Sequence, residues 1–356
     1  MDPCEFSRQV ANRTARTPRK LGQAPYRTLQ LTAAEPGETP YDVIYEESPV
    51  RLRRYEPEGE QTRDVPVLIA YAFINDPSIL DFSPERTVVG TFLERGFPVY
   101  VVDWGDPSPI DRSLTLGDYV TRFLANCVDV VCETHATESV HLLGYSTSAP
   151  LAAAYAALFP DRVRTLVLQG PPLDFDTEAG MDLFRALAAE HDPEQVADAF
   201  DAVPTPLLEV AFALRKPVEY TVTTPLRLWD QLDDDEFVEE QGRKLEWTMG
   251  GPNLPATTYR EFVEELLVEN RLLENEWRLC GRRVDLSAIE MPVLLVLGEE
   301  DKFVPREASV PFLDEIESDD TAIVELPTGH VGLSVAEVAH EQGWPRIADW
   351  LEERSS

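Results

Sequence analysis

The chain has 356 residues, is 43% hydrophobic, and carries 65 Asp and Glu against 31 Lys and Arg, for a formal net charge of -34. This length supports one large core with an insertion, or two domains, and the apolar content is that of a globular protein. So negative a chain repels phosphate backbones and anionic bilayers, which argues against nucleic acid or a membrane surface as a partner.

The carboxylates are spread along the whole length, and lysine occurs only at Lys20, Lys216, Lys244 and Lys302. This pattern points to a very salty cytoplasm, where self-repulsion is screened within a few ångströms. Cys4, Cys127, Cys132 and Cys280 form no C-x-x-C pair and no metal-ligand spacing with histidine, so reduced structural thiols and no metal are expected. No apolar stretch exceeds strand length, so neither a signal peptide nor a membrane span is expected.

Residues 1–40 are polar, with basic patches at Arg8, Arg13, Arg16, Arg19 and Lys20, and are expected to form a surface arm. Tyr41 to Glu46 and Val50 to Tyr55 predict a hairpin turning at Ser48-Pro49. Val65 to Tyr71 is a continuous apolar run, the pattern of a strand covered on both faces. Thr87 to Arg95 predicts a helix ended by Gly96, Val99 to Val102 a strand, and Leu116 to Glu133 a helix. Val140 to Leu143, Ala149 to Leu158 and Val163 to Leu168 continue the alternation as strand, helix and strand. From Asp174 to Asp285 only helical segments are evident: Met181 to His191, Pro193 to Ala202, Pro206 to Leu214, Asp235 to Trp247 and Thr258 to Leu273. Strands return at Pro292 to Gly298 and Thr321 to Leu326, and a last helix at Trp344 to Glu353 buries Ile347 and Leu351. The expected class is α/β, a mainly parallel doubly wound sheet over 41–173 and 286–356 with a helical cap inserted at 174–285.

The stretch Gly144-Tyr145-Ser146-Thr147-Ser148 lies between a strand and an Ala-rich helix and closely approaches the G-x-S-x-G nucleophile elbow. A strand turning sharply into a helix needs small residues two positions either side of the nucleophile, and Gly144 and Ser148 supply them. The helix then directs free N–H groups towards Ser146, making the amide of Thr147 an oxyanion donor. A second donor is expected in the loop after the third strand, from Phe73 or Ile74.

A serine nucleophile needs a base, and the base needs an orienting group. Of five histidines, His330 sits in a Gly329-His330-Val331-Gly332 turn just after the last strand, where it can reach over the sheet edge. His141 and His191 are expected in core and cap, and His135 and His340 adjoin no acid motif. Asp301 follows a strand directly within Glu299-Glu300-Asp301, a run that could also be a solvated acidic loop. The order Ser146, Asp301, His330 is that of α/β-hydrolases, the expected fold.

Over nearly its whole length the chain resembles the catalytic subunit of class III poly(3-hydroxyalkanoate) synthases. The resemblance rests on Thr39 to Val43, Val67 to Asn75, Val101 to Gly105, Leu114 to Val120, Tyr155 to Val163, the acid loop ending Val304-Pro305, and the Gly329 to Gly332 turn. It implies polymerisation of (R)-3-hydroxyacyl-CoA with no cofactor beyond the CoA thioester substrate, a growing polyester chain, a second synthase subunit or homo-oligomer, and a cytoplasmic place at a storage-granule surface. The family's elbow nucleophile is cysteine; here Ser146 stands there, Ser148-Ala149 replace the usual Gly-Gly, and Lys302 replaces a common histidine. Serine attack on a thioester gives an oxygen ester, which suits hydrolysis as well as chain growth. Three readings follow: a synthase-type acyltransferase, a hydrolase (esterase, thioesterase or intracellular depolymerase) on the same scaffold, and a non-catalytic granule-associated partner. Ser148 and Ala149 also add atoms at the tightest part of the elbow, with an expected effect on the acyl pocket.

The acidity has a consequence that circular dichroism can measure. Dialysis from molar to low salt is expected to abolish the folded signal, and an unchanged spectrum would refute the habitat reading.

Overall fold

The apolar runs of the sequence form a single eight-stranded sheet because strands buried on both faces can only be satisfied by pairing side by side with helices above and below. The computed structural model describes residues 39–55, 62–177, 192–205, 207–208 and 224–355, together with Arg27. The expected arm apart from Arg27, Thr39 and Pro40, the helix Met181 to His191, and the helix Pro206 to Leu214 apart from Leu207 and Leu208 lie outside these residues.

The strands are β1 (Tyr41–Glu47), β2 (Val50–Tyr55), β3 (Val67–Ala70), β4 (Val99–Asp103), β5 (Val140–Tyr145), β6 (Val163–Gln169), β7 (Val293–Gly298) and β8 (Thr321–Leu326), arranged β1-β2-β4-β3-β5-β6-β7-β8. From β4 to β8 every pairing is parallel, and β2 runs antiparallel to both of its neighbours. β3, β4, β5 and β7 are buried throughout. The sheet is thus mainly parallel and doubly wound, as its sequence pattern indicates.

Four helices flank it: α1 (Val88–Glu94), α2 (Ala125–His135), α3 (Ala149–Leu158) and α4 (Trp344–Glu352). Thr87 caps α1 by accepting from the Gly90 amide at 2.8 Å, and Gly96 at φ +78° ends the turn beyond it. α2 is preceded by the turn Leu116–Asp118 and by a π-helical segment, Tyr119–Leu124. The π segment rotates the register so that Tyr119, Phe123, Cys127 and Val131 all stay buried, which a uniform 3.6-residue period does not convey. α4 buries Trp344, Ile347 and Leu351, and the Trp344 ring meets Phe92 of α1 edge-on at 5.8 Å.

The chain divides into two compact units, Met1–Pro36 with Pro206–Gly250, and Gly37–Thr205 with Gly251–Ser356. In the first, Asp234 caps the helix Asp235–Met249 through the Phe237 amide, and Arg27 pairs with Asp235. The second contains the whole sheet. The parts of the 174–285 segment that lie in this unit hold more than the helices expected: Ala202–Val203 pairs with Leu254–Pro255, and Arg278–Leu279 with Arg282–Arg283. Two-residue ladders are too short to leave a period-2 signature in sequence. The helix expected from Thr258 instead starts at Ala256, turns π-helical over Phe262–Val268 and stops before Asn270, which is left-handed at φ +50°. Among the described residues no helix is long and apolar enough to cross a membrane.

α3 is packed closest, with all ten residues buried. A Cβ on Gly144 of β5 would lie 2.6 Å from the Ala152 Cβ and 2.9 Å from the Ala149 Cα. Gly144→Ala is therefore expected to destabilise the protein by about 1–3 kcal/mol, the usual range for overpacking, in equilibrium denaturation at molar salt. Unchanged stability would show that strand and helix are not seated so closely.

Candidate active site

Because β5 must become α3 with almost no linker, the backbone reverses hand at one residue. Ser146 adopts φ +49°, in the left-handed region that non-glycine residues seldom occupy, and a short 3-10 turn over Ser146–Ser148 leads into α3. Such strain persists only where surrounding packing imposes it, here the tight contact of Gly144 with Ala149 and Ala152.

Asp301 and His330 come to the same place from the loops after β7 and β8, the last two parallel strands. His330 Nδ1 lies 2.6 Å from Asp301 Oδ2, and His330 Nε2 lies 2.8 Å from Ser146 Oγ. An ionised carboxylate accepts only, so Nδ1 carries the proton towards Asp301 and Nε2 is left to accept from the serine hydroxyl. The other Asp301 oxygen accepts from the amides of Phe303 at 2.8 Å and Val304 at 2.9 Å. Burial by itself pushes the Asp301 carboxyl up. The charge and hydrogen bond of His330 and the two amides outweigh it, and the net direction is down from the ordinary carboxylate value. Glu299 and Glu300 are exposed whereas Asp301 is buried, so only one of the three acids leaves the solvated loop.

One contributor has no counterpart in the sequence reasoning. Gly170, the first residue after β6, sits at φ +52°, and a Cβ there would lie 2.8 Å from His330 Cε1 and 3.0 Å from Nδ1. Its signal, a glycine directly after a strand and before Pro171-Pro172, marks only a break in the pattern. Phe303 and Tyr145 complete the surroundings, with ring centroids 6.1 and 6.5 Å from that of His330.

Of the expected oxyanion donors, Thr147 is the next residue in the elbow turn, and Phe73 and Ile74 lie in the loop leaving β3. That loop is brought to the elbow because β3 pairs with β5 up to Ala70 opposite Gly144. Phe73 is buried, its ring 5.4 Å from that of Phe262 in the π segment and 6.1 Å from Tyr119. Behind the loop, Arg53 of β2 donates to Asp103 at 2.7 Å and reaches Asp76 at 3.5 Å. The Ser148 hydroxyl donates to the Tyr71 carbonyl at 2.5 Å.

The remaining described histidines are held elsewhere. His141 is buried between the Thr165 and Ser355 hydroxyls, each at 2.9 Å, and burial lowers its pKa to about 3. His135 bonds the Tyr100 hydroxyl, and His340 the Ser334 carbonyl. Cys127 and Cys132 are free and buried, and Cys280 is free and exposed.

Residues 66–336 match the family model described as the alpha/beta hydrolase fold. Among solved structures, a monoacylglycerol lipase of Paleococcus ferrophilus superposes with TM-score 0.51 at 16% identity, covering 85% of this chain and 99% of its own. The haloalkane dehalogenase DbeA of Bradyrhizobium elkani gives 0.52 at 14%, covering 88% and 98%. At such identities these neighbours speak for the fold alone. In sequence the chain is 45% identical to the poly(3-hydroxyalkanoate) polymerase subunit PhaC of Haloferax mediterranei over 90% of its length, and spans 65% of that relative. It is 41% identical to the same-named subunit of Haloarcula marismortui, covering 92% of this chain and 70% of the relative, and 34% identical to that of Allochromatium vinosum, covering 94% and 95%. Two of these relatives are haloarchaeal, which fits the acidic composition. The chain belongs to the poly(3-hydroxyalkanoate) polymerase subunit PhaC family, built on the alpha/beta hydrolase fold.

Proposed function

We propose that the chain is an acyltransferase that extends a poly(3-hydroxyalkanoate) from (R)-3-hydroxyacyl-CoA, with Ser146 as nucleophile, His330 as base and Asp301 as orienter. The observation that carries this reading is the strained Ser146 hydroxyl hydrogen-bonded to an Asp-oriented imidazole in a chain so similar to PhaC subunits. His330 Nε2 takes the Ser146 proton as Oγ forms a bond to the thioester carbonyl carbon. The amides of Thr147 and of Phe73 or Ile74 stabilise the oxyanion. The carbon–sulfur bond then breaks, the CoA thiolate takes the proton from His330, and an oxygen ester remains on Ser146. The hydroxyl of another 3-hydroxyacyl-CoA, deprotonated by the same imidazole, attacks this ester; the bond from the acyl carbon to Ser146 Oγ breaks, His330 returns the proton to Oγ, and the acyl group is left on the incoming unit, one unit longer and again a CoA thioester. No metal or further cofactor takes part in this scheme. The word subunit in the relatives' name supports a second chain as partner, and an insoluble polyester product would favour a reaction at a granule surface.

Ser146 itself favours a second reading. An ester to oxygen is more stable than one to sulfur and waits longer for its acceptor, so water can compete, and the scaffold then works as an esterase, thioesterase or depolymerase. A non-catalytic partner has no need of the buried, amide-held Asp301.

Purified protein in molar salt, given 3-hydroxybutyryl-CoA while free thiol and acyl product are followed together, distinguishes these readings. Thiol release with polymer is expected, falling about a thousandfold or more in Ser146→Ala. Free 3-hydroxybutyrate instead of polymer would move the protein to the hydrolases, and activity retained in Ser146→Ala would overturn the nucleophile assignment. A second expectation follows from Asp301. Its pKa is lower folded than unfolded, so the stability it contributes is present above the unfolded value of 3.8 and is lost as pH falls through the lower folded value. Denaturation of Asp301→Asn against wild type is expected to show a stability deficit near pH 7 that shrinks only below about pH 4. A deficit independent of pH would contradict the assignment of an ionised carboxylate.

A further inference from the structure

The ladder between β3 and β5 ends at Ala70 opposite Gly144, and that between β3 and β4 at Ala70 opposite Val102. Beyond this point the chain from Tyr71 to Ile74 has left the sheet, and strand pairing no longer sets the direction of its peptide groups. Two side chains take over. The Ser148 hydroxyl, from the elbow beyond β5, donates to the Tyr71 carbonyl at 2.5 Å. The indole N–H of Trp104, just beyond β4, donates to the same oxygen at 2.5 Å. Each donor follows one of the two strands flanking β3, so the loop is pinned from both sides.

Both donors are buried, Ser148 completely. Ser148 has φ -87° and ψ -4°, ordinary right-handed backbone, so nothing in its conformation calls for glycine and a side chain is accommodated there. The Trp104 ring packs on Tyr119 at 5.1 Å, and Tyr119 in turn lies 6.1 Å from Phe73. The indole is thereby held in place, and the rings that hold it also contact the side chain of Phe73.

We infer that Ser148 is a positioning residue for the acyl-transfer step: with Trp104 it fixes the Tyr71–Ala72 peptide plane, and through it the direction in which the following amides of Phe73 and Ile74 point. A carbonyl gripped on both lone pairs cannot rotate without breaking a buried hydrogen bond. A peptide plane so fixed is preorganised for charge that appears only in the transition state, where small misplacements are costly. Ser148 touches neither substrate nor the reacting atoms, and it acts through the loop. This inference rests on the reading of Ser146 as nucleophile and of the loop as oxyanion donor.

The test uses the full chain in molar salt and a fluorophosphonate probe, which forms a tetrahedral phosphorus adduct on an activated serine whether or not a CoA substrate is turned over. Ser148→Ala is expected to be labelled about ten- to a hundredfold more slowly than wild type. The pH midpoint of labelling stays in place, and with 3-hydroxybutyryl-CoA the loss falls on kcat and not on KM. Trp104→Phe keeps a ring on Tyr119 but removes the second donor, and the same pattern is expected from it, which keeps the inference testable if Ser148→Ala does not fold. Labelling of both variants at the wild-type rate would overturn the positioning role and leave the nucleophile assignment intact. A shifted pH midpoint would also overturn it, since an effect confined to the loop leaves the pH profile unchanged. A wild-type protein that is not labelled would remove the nucleophile reading and this inference with it.

Discussion

The left-handed backbone at Ser146 is the constraint on which the rest of the site depends. Here β5 hands its chain to α3 by reversing direction within a few residues, and the reversal is centred on Ser146 at the end of the strand. The cost is held in place by the close approach of α3 to β5, which is possible because Gly144 has no side chain and the facing helix is built from alanines. Relaxing that contact would let Ser146 return to ordinary backbone and take its hydroxyl away from His330.

Around this point the fold sorts like groups into unlike environments. Glu299, Glu300 and Asp301 are consecutive carboxylates, yet two face water and the third is buried against an imidazole and two amides. The buried one is kept ionised by donors that solvent does not screen, and the other two belong to the general negative charge. A comparable distinction separates surface pairs such as Arg354 with Asp320 from the buried pair of Arg53 and Asp103. At molar salt the surface pairs of this chain are largely screened while the buried pair is not.

The 174–285 segment contributes to the site by packing. Its π-helical stretch presents Phe262 to Phe73 and to Phe175, at 5.4 and 5.9 Å between ring centroids. The ring of a residue in the proposed oxyanion loop is therefore seated against the insertion, and substitutions in the insertion can reach the chemistry without touching substrate.

Sequence by itself determined the sheet class, the positions of the eight strands and the nomination of Ser146, Asp301 and His330. Each of these leaves a local mark: apolar runs for buried strands, small residues about the elbow, and an acid and a histidine directly after the last two strands. Tertiary structure alone decided that Asp301 and not its acidic neighbours meets the imidazole, that Gly170 makes room for His330, and that the Ser148 hydroxyl goes to the Tyr71 carbonyl. The π segments and two-residue ladders were equally beyond reach. The physical reason is the same in each case: these features arise from contacts between residues distant in sequence, with geometry set to tenths of an ångström by packing, whereas periodicity and spacing report only what each stretch does along its own axis.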